Sequence, residues 1–389
     1  MFAQLQGVRI AAIHTAVPQQ EIRIEDELEY YGGSLKKAER AKSMIGTDRR
    51  RVAYPGQTAS DLCHAAASEL FAVHPEEKQS IEALIFVTQS PDFDQPATAC
   101  TLQHRLGLPQ SCATFDVNQG CAGYVYGLWL AGTMVASGSC SSVLLLVGDA
   151  PYRPRDPRNR IMAPIFGDAG SATLITRDAD AAPLFFSIGT DGAGFSHIIQ
   201  PGGRARVPFS DKFENNNAFF KDIQGADGYP WRLCDTYMDG PAVFNFTLRV
   251  IPEHIRDFLM RSGADIAKID YFVLHQANKQ IISEIARKAG LPQEKTPSAT
   301  FSRYGNLSSA SIPAALCDLF GQDGSIGQRK IMLCGYGIGL TWASCLWKPT
   351  NCACTSVLSV PAPDSDSTLP EAQIRYWCRY IQGERDATC

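Results

Sequence analysis

The sequence predicts a duplicated α/β protein in which two mixed sheets enclose buried helices. The first observation is an internal repeat with a constant offset. Ile81 and Ile269 are separated by the same number of residues as Val143 and Ile331, and all four residues open strand-like segments. The second observation is that such segments, for example residues 142–147, are apolar throughout. Strands of this kind belong to sheets that helices cover on both faces.

Each half is expected to follow the order strand, turn, small-residue helix, strand. Asn118 and Asn306 are separated by the same offset, and each opens a segment rich in Ala, Gly and Ser. The helices that begin near Cys121 and Ser309 are apolar or small on most faces, which predicts that they lie in the interior.

The predicted first half covers residues 1–180, and the second covers residues 181–348 with an insertion at about 202–240. Residues 349–389 are expected to form a polar linker and a C-terminal helix. One face of that helix carries Ile374, Trp377, Cys378 and Ile381. Docking of this face on the helix's own domain is favoured over binding of a partner.

Composition excludes several classes of protein. The 389 residues are 45% hydrophobic and 20% charged, with a formal net charge of −4, which excludes an intrinsically disordered chain. A pI near 6.0 gives no reason to expect nucleic acid or an anionic membrane as a partner, and no run approaches the ~18 apolar residues of a membrane helix. Thirteen cysteines without a C-x-x-C pair predict free thiols in a cytoplasmic protein rather than disulfides or a metal site.

Cys121 is the first candidate for chemistry. The segment 114–117 is predicted as a strand, and Cys121 is expected in the first turn of the helix that follows. The helix dipole and free N–H groups there favour a thiolate and predict a lowered thiol pKa. The small neighbours Gly120, Ala122 and Gly123 leave room for a substrate. The alternative is that Cys121 is a small buried residue whose thiol takes part in no reaction.

His275 and Asn306 strengthen the case for Cys121. His275 ends an apolar strand in the second half, and Asn306 occupies the repeat position that matches the turn before Cys121. Pseudo-twofold symmetry would bring a nucleophilic sulfur, an imidazole and a carboxamide into one cleft. A lone histidine at a strand end would otherwise be interpreted as a core residue.

The glycine-rich segment 335–341 is predicted to be a turn between strands. It lacks the Lys-Ser/Thr that follows a phosphate-binding loop. Close approach of its backbone would allow an N–H group to point at a developing oxyanion.

Five motifs resemble those of the β-ketoacyl-acyl-carrier-protein synthase III branch of the thiolase-like condensing enzymes. In the family's order they are Asp116-Val-Asn-Gln-Gly-Cys-Ala-Gly-Tyr, Phe166-Gly-Asp-Ala-Gly-Ser-Ala, His275-Gln-Ala-Asn278, Gly305-Asn306 and Gly337-Ile-Gly-Leu-Thr-Trp. The resemblance covers residues 1–348. It implies a duplicated thiolase-like fold with five αβαβα layers, a homodimer, and an active site of Cys121, His275 and Asn306.

The resemblance also implies a reaction of fatty-acid biosynthesis or of specialised lipid or polyketide biosynthesis. Cys121 takes an acyl group from a thioester, with the N–H groups of Cys121 and Ile338 as oxyanion donors. His275 and Asn306 then stabilise the enolate formed when a malonyl thioester loses CO₂. Acyl-CoA or an acylated carrier protein would supply the acyl group, and malonyl-loaded carrier protein would supply the extender unit. No permanently bound cofactor is expected. An acyltransferase or non-decarboxylating condensing enzyme of secondary metabolism is the alternative within this fold.

Some positions depart from the family's pattern. The tryptophan and arginine with which the family encloses the coenzyme A adenine align with Arg40 and Met44. Two positions after the asparagine of the His-Gln-Ala-Asn motif, where the family has a basic residue, this chain has Gln280. The phenylalanine that the partner subunit sends into the acyl pocket aligns with Gln95. These departures favour a carrier-bound or unusual acyl donor over acetyl-CoA.

Other positions match the family's cofactor channel and carrier-docking surface. Asn278 and Arg160 match the channel. Lys279, Arg287 and Lys288 are expected to dock the acidic acyl carrier protein, against the alternative of a merely solvated helix face.

Several competing hypotheses remain open at this stage. A thiolase would use a second cysteine near the late glycine-rich loop, for which Cys334 is available. A plant-type polyketide synthase also uses Cys, His and Asn. A papain-like hydrolase has the same chain order but carries a C-G-[SA]-C-[WY] motif that is absent here. A non-catalytic subunit would be expected to lack part of the triad.

Overall fold

The computed structural model describes residues 1–150, 156–160, 162–208, 219–363 and 368–382. The strands in these ranges are β1 (Phe2–Leu5), β2 (Val8–Pro18), β3 (Glu21–Ile22), β4 (Arg50–Arg51), β5 (Ala83–Val87), β6 (Ala113–Val117), β7 (Ser142–Asp149), β8 (Ala169–Arg177), β9 (Leu184–Thr190), β10 (Ile198–Ile199), β11 (Ile223–Gln224), β12 (Pro230–Trp231), β13 (Tyr237–Met238), β14 (Tyr271–Leu274), β15 (Ile331–Gly337), β16 (Thr341–Trp347), β17 (Ala353–Cys354) and β18 (Leu358–Val360).

The α-helices in the same ranges are α1 (Leu35–Ile45), α2 (Ala59–Val73), α3 (Thr98–Arg105), α4 (Gly123–Ala136), α5 (Gly240–Arg261), α6 (Lys279–Ala289), α7 (Ala299–Tyr304), α8 (Ser311–Phe320) and α9 (Pro370–Ile381). None of these helices is long and apolar enough to cross a membrane.

Two mixed sheets divide the chain into five layers. The first sheet has the strand order β17-β2-β8-β7-β5-β6, and the second has the order β1-β9-β16-β15-β14. Apolar side chains of α4 and α8 fill the space between the two sheets, as predicted for the small-residue helices. Helices α2 and α3 cover the outer face of the first sheet, and α5 and α6 cover that of the second. The predicted five-layer architecture is therefore confirmed.

The internal repeat is visible in the strand pairing itself. Strands β5 and β7 are parallel with Ala83 opposite Val143, and β14 and β15 are parallel with Tyr271 opposite Ile331. The two pairs are related by the constant offset of the repeat, and so are the first residues of α4 and α8. One strand of the first half belongs to the second sheet, because β1 pairs with β9 there.

The segment expected as a polar linker is partly built into the first sheet. Strands β17 and β18 pair in parallel with β2, whose edge would otherwise be free. Cys352 and Cys354 are fully buried, and the sulfur of Cys354 lies 3.7 Å from that of Cys317 in α8. The polar composition concealed a structural role, because only a few side chains of this segment face the core.

Helix α9 forms where it was predicted, but its apolar face is not docked as expected. The side chains of Ile374 and Ile381 are 64% and 81% exposed. Trp377 makes an edge contact with Phe93, with ring centroids 6.1 Å apart. The helix therefore leaves most of its apolar face open to solvent.

The insertion after β9 forms small surface elements in the part that the structure describes. Strand β10 pairs with β13, and β11 pairs with β12. Residues 209–218 of the predicted insertion lie outside the described residues.

Candidate active site

Side-chain alternation along the strands brings several predicted residues to the space between the sheets. In β14 Val273 faces the inter-sheet core, so His275, two residues later, points to the same side. In β15 Leu333 faces that core, and the glycines that follow at alternate positions contact the Cys121 turn. The predicted site therefore lies between the sheets at the ends of these strands.

Cys121 lies in the turn before α4, and not in the first helical turn as expected. The helix begins at Gly123, with Ala122 as its N-cap residue. A side chain at Gly337 would place its Cβ 2.9 Å from the sulfur of Cys121, and one at Gly335 would lie 2.7 Å from the Cα of Ala122. Only glycine permits this approach of β15 to the nucleophile turn.

The thiol pKa is shifted in the direction opposite to the prediction. Burial of the sulfur raises the pKa of Cys121 to about 11, and the charge of Asp149 raises it further. Hydrogen bonds from the backbone N–H of Ile338 and from the side chain of Ser308 act in the lowering direction. In the free protein, desolvation raises the pKa of Cys121 by more than the nearby helix terminus lowers it.

The backbone N–H of Ile338 is one of the two predicted oxyanion donors. It belongs to the glycine-rich turn between β15 and β16 and hydrogen-bonds to the Cys121 sulfur. The Ile338 side chain closes the turn against Gly120, where a Cβ would lie 2.5 Å from its Cγ2. The N–H therefore points at the sulfur of Cys121.

His275 is buried and its Nδ1 is hydrogen-bonded to Ser311. Nδ1 lies 2.6 Å from Oγ of Ser311, and that oxygen accepts a 3.4 Å bond from the backbone N–H of Gln276. A hydroxyl oxygen has two acceptor sites, so Ser311 can donate to Nδ1 or accept from it. When it donates, the neutral ring carries its proton on Nε2. Burial lowers the pKa of His275 to about 3, so the ring is neutral at physiological pH.

Asn306 is held by a tight backbone arrangement next to β8. Its N–H donates to the Ile165 carbonyl at 2.8 Å, and its carbonyl accepts from Gly167 at 3.0 Å. Gly305 has a φ of +83°, and a Cβ there would lie 2.9 Å from the Gly167 nitrogen. The Asn306 Oδ1 accepts from the Ser308 N–H at 2.9 Å. This bond orients the carboxamide so that its NH₂ group can act as a donor.

Asp149 is a buried carboxylate that sequence reasoning missed. Its Oδ1 accepts from the Gln89 N–H at 2.7 Å, and its Oδ2 accepts from the Ser309 hydroxyl at 2.7 Å. It joins the end of β7 in the first half to the turn that precedes α8 in the second. A carboxylate two residues after the apolar run 143–147 was the signal that could have found it.

The residues predicted for the cofactor channel have definite positions. Asn278 caps α6, because its Oδ1 accepts from the Ile281 N–H at 2.8 Å. Arg160 is exposed, with its guanidinium 5.8 Å from the ring centre of Tyr31 and 5.6 Å from that of Tyr229. Gln95 is exposed in the loop between β5 and α3.

The three predicted docking residues are exposed on α6, but they differ in how they are paired. Arg287 forms an ion pair with Glu284 at 2.7 Å. The Lys288 ammonium donates to the Leu248 carbonyl at 3.3 Å. Lys279, at the start of α6, packs against Gly46 at the end of α1.

Cys334 faces away from Cys121. It belongs to the alternate set of β15 side chains that packs in the outer layer with α5 and α6. Burial raises its pKa to about 12. Its position is unsuited to the second cysteine of a thiolase. Within the described ranges no group of three or more His, Cys, Asp and Glu side chains could hold a metal ion.

Solved structures and family models place this architecture in a known class. A 3-oxoacyl-(acyl-carrier protein) synthase from Burkholderia xenovorans LB400 matches with a TM-score of 0.83 and 33% identity, over 92% of this chain and 99% of its own. The priming β-ketosynthase of the R1128 polyketide pathway shares the fold, with a TM-score of 0.73 and 22% identity over 89% of this chain and 97% of its own. Fold and site define a thiolase-like condensing enzyme of the acyltransferase class.

The family is established by sequence. Residues 115–192 match the model of 3-oxoacyl-[acyl-carrier-protein] synthase III, and residues 259–349 match the model of its C-terminal part. A putative 3-oxoacyl-[acyl-carrier-protein] synthase 3 from Campylobacter jejuni is 35% identical over 345 residues, which are 88% of this chain and 94% of that protein. The chain belongs to the 3-oxoacyl-[acyl-carrier-protein] synthase III family, and the resemblance drawn from its motifs is confirmed.

Proposed function

We propose that the enzyme transfers an acyl group from a thioester to Cys121 and then condenses it with a malonyl thioester, with loss of CO₂. The observation that carries this proposal is the buried, neutral imidazole of His275 with its Nδ1 2.6 Å from the Ser311 hydroxyl. In the proposed tautomer Ser311 donates to Nδ1, and the proton of the ring is on Nε2. A neutral donor can stabilise an enolate without protonating it.

The first half-reaction forms an acyl-enzyme. The Cys121 sulfur attacks the thioester carbonyl, and the N–H groups of Cys121 and Ile338 stabilise the oxyanion. The carbon–sulfur bond of the donor then breaks, and the donor thiol leaves with the proton that Cys121 lost. The buried thiol with a pKa of about 11 indicates that ionisation accompanies substrate binding instead of preceding it.

The second half-reaction uses the other two predicted residues. A malonyl thioester loses CO₂, and the electron pair of the broken bond forms an enolate whose oxygen accepts from His275 Nε2–H and the Asn306 amide. The enolate carbon attacks the acyl-enzyme carbonyl. The carbon–sulfur bond to Cys121 breaks and releases a β-ketoacyl thioester.

The test of the proposed function is mass spectrometry of the intact protein after incubation with a panel of acyl thioesters. The wild-type chain should gain the mass of one acyl group, and Cys121→Ala should gain none. Cys100→Ala is the matched control, because Cys100 is exposed on α3 and should leave acylation unchanged. Acylation that persists in Cys121→Ala would refute the assignment.

We also propose that an acyl carrier protein is a better primer than coenzyme A. The aligned adenine positions Arg40 and Met44 are both exposed on α1 and offer no aromatic ring. Stacking on an aromatic ring contributes about 1–3 kcal/mol per base in nucleic-acid sites, and its loss would weaken coenzyme A binding about 5- to 150-fold. Rates of Cys121 acylation by one acyl group on the two carriers decide the point, and equal rates would refute it.

A homodimer in the cytoplasm completes the proposal. Strand β6 lies at the edge of the first sheet, and the side chains of Phe93, on a loop, and Phe195, in a short 3-10 helix, are exposed. These features support a subunit interface. The free cysteines of the described ranges support a reducing compartment.

A further inference from the structure

Helix α1 has one face that is fixed to the protein and another that is open. Its buried Ala38 packs with Ile24 and Tyr31. Lys42 is held by two carboxylates, Glu25 at 2.8 Å and Asp48 at 2.7 Å. These contacts give the helix a rigid position, so the geometry of its outer face is preorganised.

The outer face of α1 is cationic. Lys36, Lys37 and Arg40 are exposed, and Glu39 is the one carboxylate in the sequence of this helix. Among the described residues, Lys36 and Arg40 have no carboxylate partner within ion-pair distance. They are separated by one helical turn and therefore project side by side. Met44, one turn further, is 71% exposed and adds an apolar group to the same region.

The C-terminal end of α1 contacts the start of α6. A Cβ at Gly46, which ends α1, would lie 3.2 Å from the Cβ of Lys279. Lys279 directly follows Asn278, the N-cap residue of α6, and Asn278 is three residues from His275. The C-terminal end of α1 therefore contacts the turn that leads to the predicted active site, and Arg40 and Lys36 lie about 9 Å and about 15 Å from that end along the helix. The charge of Arg287, by contrast, is already paired with Glu284 on the same helix.

We propose that Lys36 and Arg40 of α1, together with Lys279, form the main docking surface for an acidic acyl carrier protein. This proposal rests on the proposed function, and it places the contact on α1 and not on the far end of α6. The i, i+4 pair of cations matches carboxylates spaced by one turn on a helix of the partner. Unpaired surface charges of this kind accelerate association with an oppositely charged partner and lose their effect at high salt.

The test is reversal of charge on α1 in the full-length enzyme. The variant carries Lys36→Glu and Arg40→Glu, and glutamate preserves helix propensity. The matched control carries Lys268→Glu and Lys348→Glu, which make the same change in net charge. Both lysines are exposed, one before β14 and the other after β16, at the ends of these strands that lie opposite the site. The measurement is kcat/KM for Cys121 acylation by a butyryl group on acyl carrier protein, on coenzyme A and on pantetheine.

We expect the α1 variant to lose about tenfold or more of kcat/KM with butyryl-carrier protein. Its rate with butyryl-pantetheine should match that of the wild type, and the control variant should stay within about twofold for both donors. The loss should shrink in high salt. Normal use of the carrier by the α1 variant would overturn the proposal. An equal loss with butyryl-CoA would also overturn it, because the cations would then bind nucleotide phosphates.

Failure of the proposed function gives a different result. If no thioester acylates Cys121 in the wild-type chain, the reaction itself is wrong and the docking proposal fails with it. If butyryl-pantetheine acylates Cys121 while the carrier is insensitive to the charges on α1, only the docking proposal fails.

Discussion

Burial shifts three titratable side chains at the candidate site toward their neutral forms. It raises the pKa of the Cys121 thiol, raises that of the Asp149 carboxyl, and lowers that of the His275 imidazole. In the proposed mechanism His275 acts in its neutral form, because an imidazolium would protonate the enolate. For Cys121 the neutral form is a poor nucleophile, and hydrogen bonds from Ile338 and Ser308 oppose the effect only in part.

The first prediction separates the roles of these residues. His275→Ala and Asn306→Ala should each slow malonyl decarboxylation by about 10²–10³, because each removes one donor to the enolate oxygen. Acyl loading should fall less than tenfold in both variants, since Cys121 keeps its backbone donors. Radiolabelled CO₂ release and intact-protein mass measure the two steps. Equal losses in the two steps would contradict this division.

Ser311→Ala serves as the control for the tautomer of His275. The variant retains the imidazole but loses the hydrogen bond at Nδ1, so its decarboxylation should slow by less than in His275→Ala. In the wild type, the His275 pKa of about 3 keeps the ring neutral down to about pH 4. Decarboxylation should therefore show no loss through His275 titration between pH 8 and pH 5. A histidine titration near pH 6.5 would contradict the buried geometry.

The second prediction concerns the charge of Asp149. Its carboxylate raises the pKa of the nearby thiol, so Asp149→Asn should lower the midpoint of Cys121 alkylation by iodoacetamide as a function of pH. The amide is isosteric and can still accept from Gln89 or Ser309. Asp318→Asn is the control, because Asp318 bonds to Thr300 and Arg303 instead. An unchanged or higher midpoint in Asp149→Asn would mean that Asp149 acts only through the turn it supports.

Among the structural elements, the C-terminal segment divides into a part built into the fold and a part that lies outside it. Strands β17 and β18 cover the edge of β2 and bury Cys352 and Cys354 against α8. Helix α9 has no buried residue. The two parts should therefore contribute very differently to stability.

The third prediction uses two truncations. A chain that ends at Pro363 lacks α9, and its free energy of unfolding should stay within about 1 kcal/mol of the full-length value. A chain that ends at Lys348 also lacks β17 and β18 and should lose about 3 kcal/mol or more, because it exposes the β2 edge and leaves cavities beside Cys317. Urea unfolding followed by circular dichroism measures both. Similar stability of the two truncations would refute the structural role of the strands.

The sequence predicted well those elements whose hydrophobic pattern or repeat spacing is visible within a short stretch of the chain. The apolar run 143–147 is a central strand, and the constant offset of the repeat locates α4 and α8 correctly. Strands β17 and β18 escaped prediction because they are two and three residues long and Cys354 is the one fully buried residue among them. The raised thiol pKa escaped because desolvation depends on Gly337 and Ile338, which are distant in sequence from Cys121.

At the scale of the whole molecule, the candidate site depends on both halves of the duplication. Cys121 and Asp149 come from the first half, whereas His275 and Asn306 come from the second. The bond between Asp149 and Ser309 crosses the boundary directly. A deformation of the contact between the halves should therefore affect both half-reactions, whereas the changes at single residues discussed above should affect one of them.

The fourth prediction tests whether the proposed homodimer completes the acyl pocket. The family resemblance assigns Gln95 to the pocket of the partner subunit, and Gln95 is exposed on its own chain. If that assignment holds, Gln95→Phe should shorten the acyl chain that is accepted, because an aromatic ring fills more of the pocket. Alkylation of Cys121 by iodoacetamide should stay unchanged, since that reagent does not use the pocket.

Mixed dimers reveal which subunit supplies the residue. When one subunit carries Cys121→Ala and the other carries Gln95→Phe, the single intact Cys121 faces the native Gln95 of its partner, so chain-length preference should match the wild type. When one subunit carries both changes and the other is native, the intact Cys121 faces the phenylalanine, and preference should shift to short chains. Differently tagged subunits allow each mixed dimer to be purified, and acylation by butyryl and octanoyl carrier protein measures the preference. The opposite pattern would show that Gln95 acts on its own subunit, and the absence of stable dimers in analytical ultracentrifugation would refute the homodimer itself.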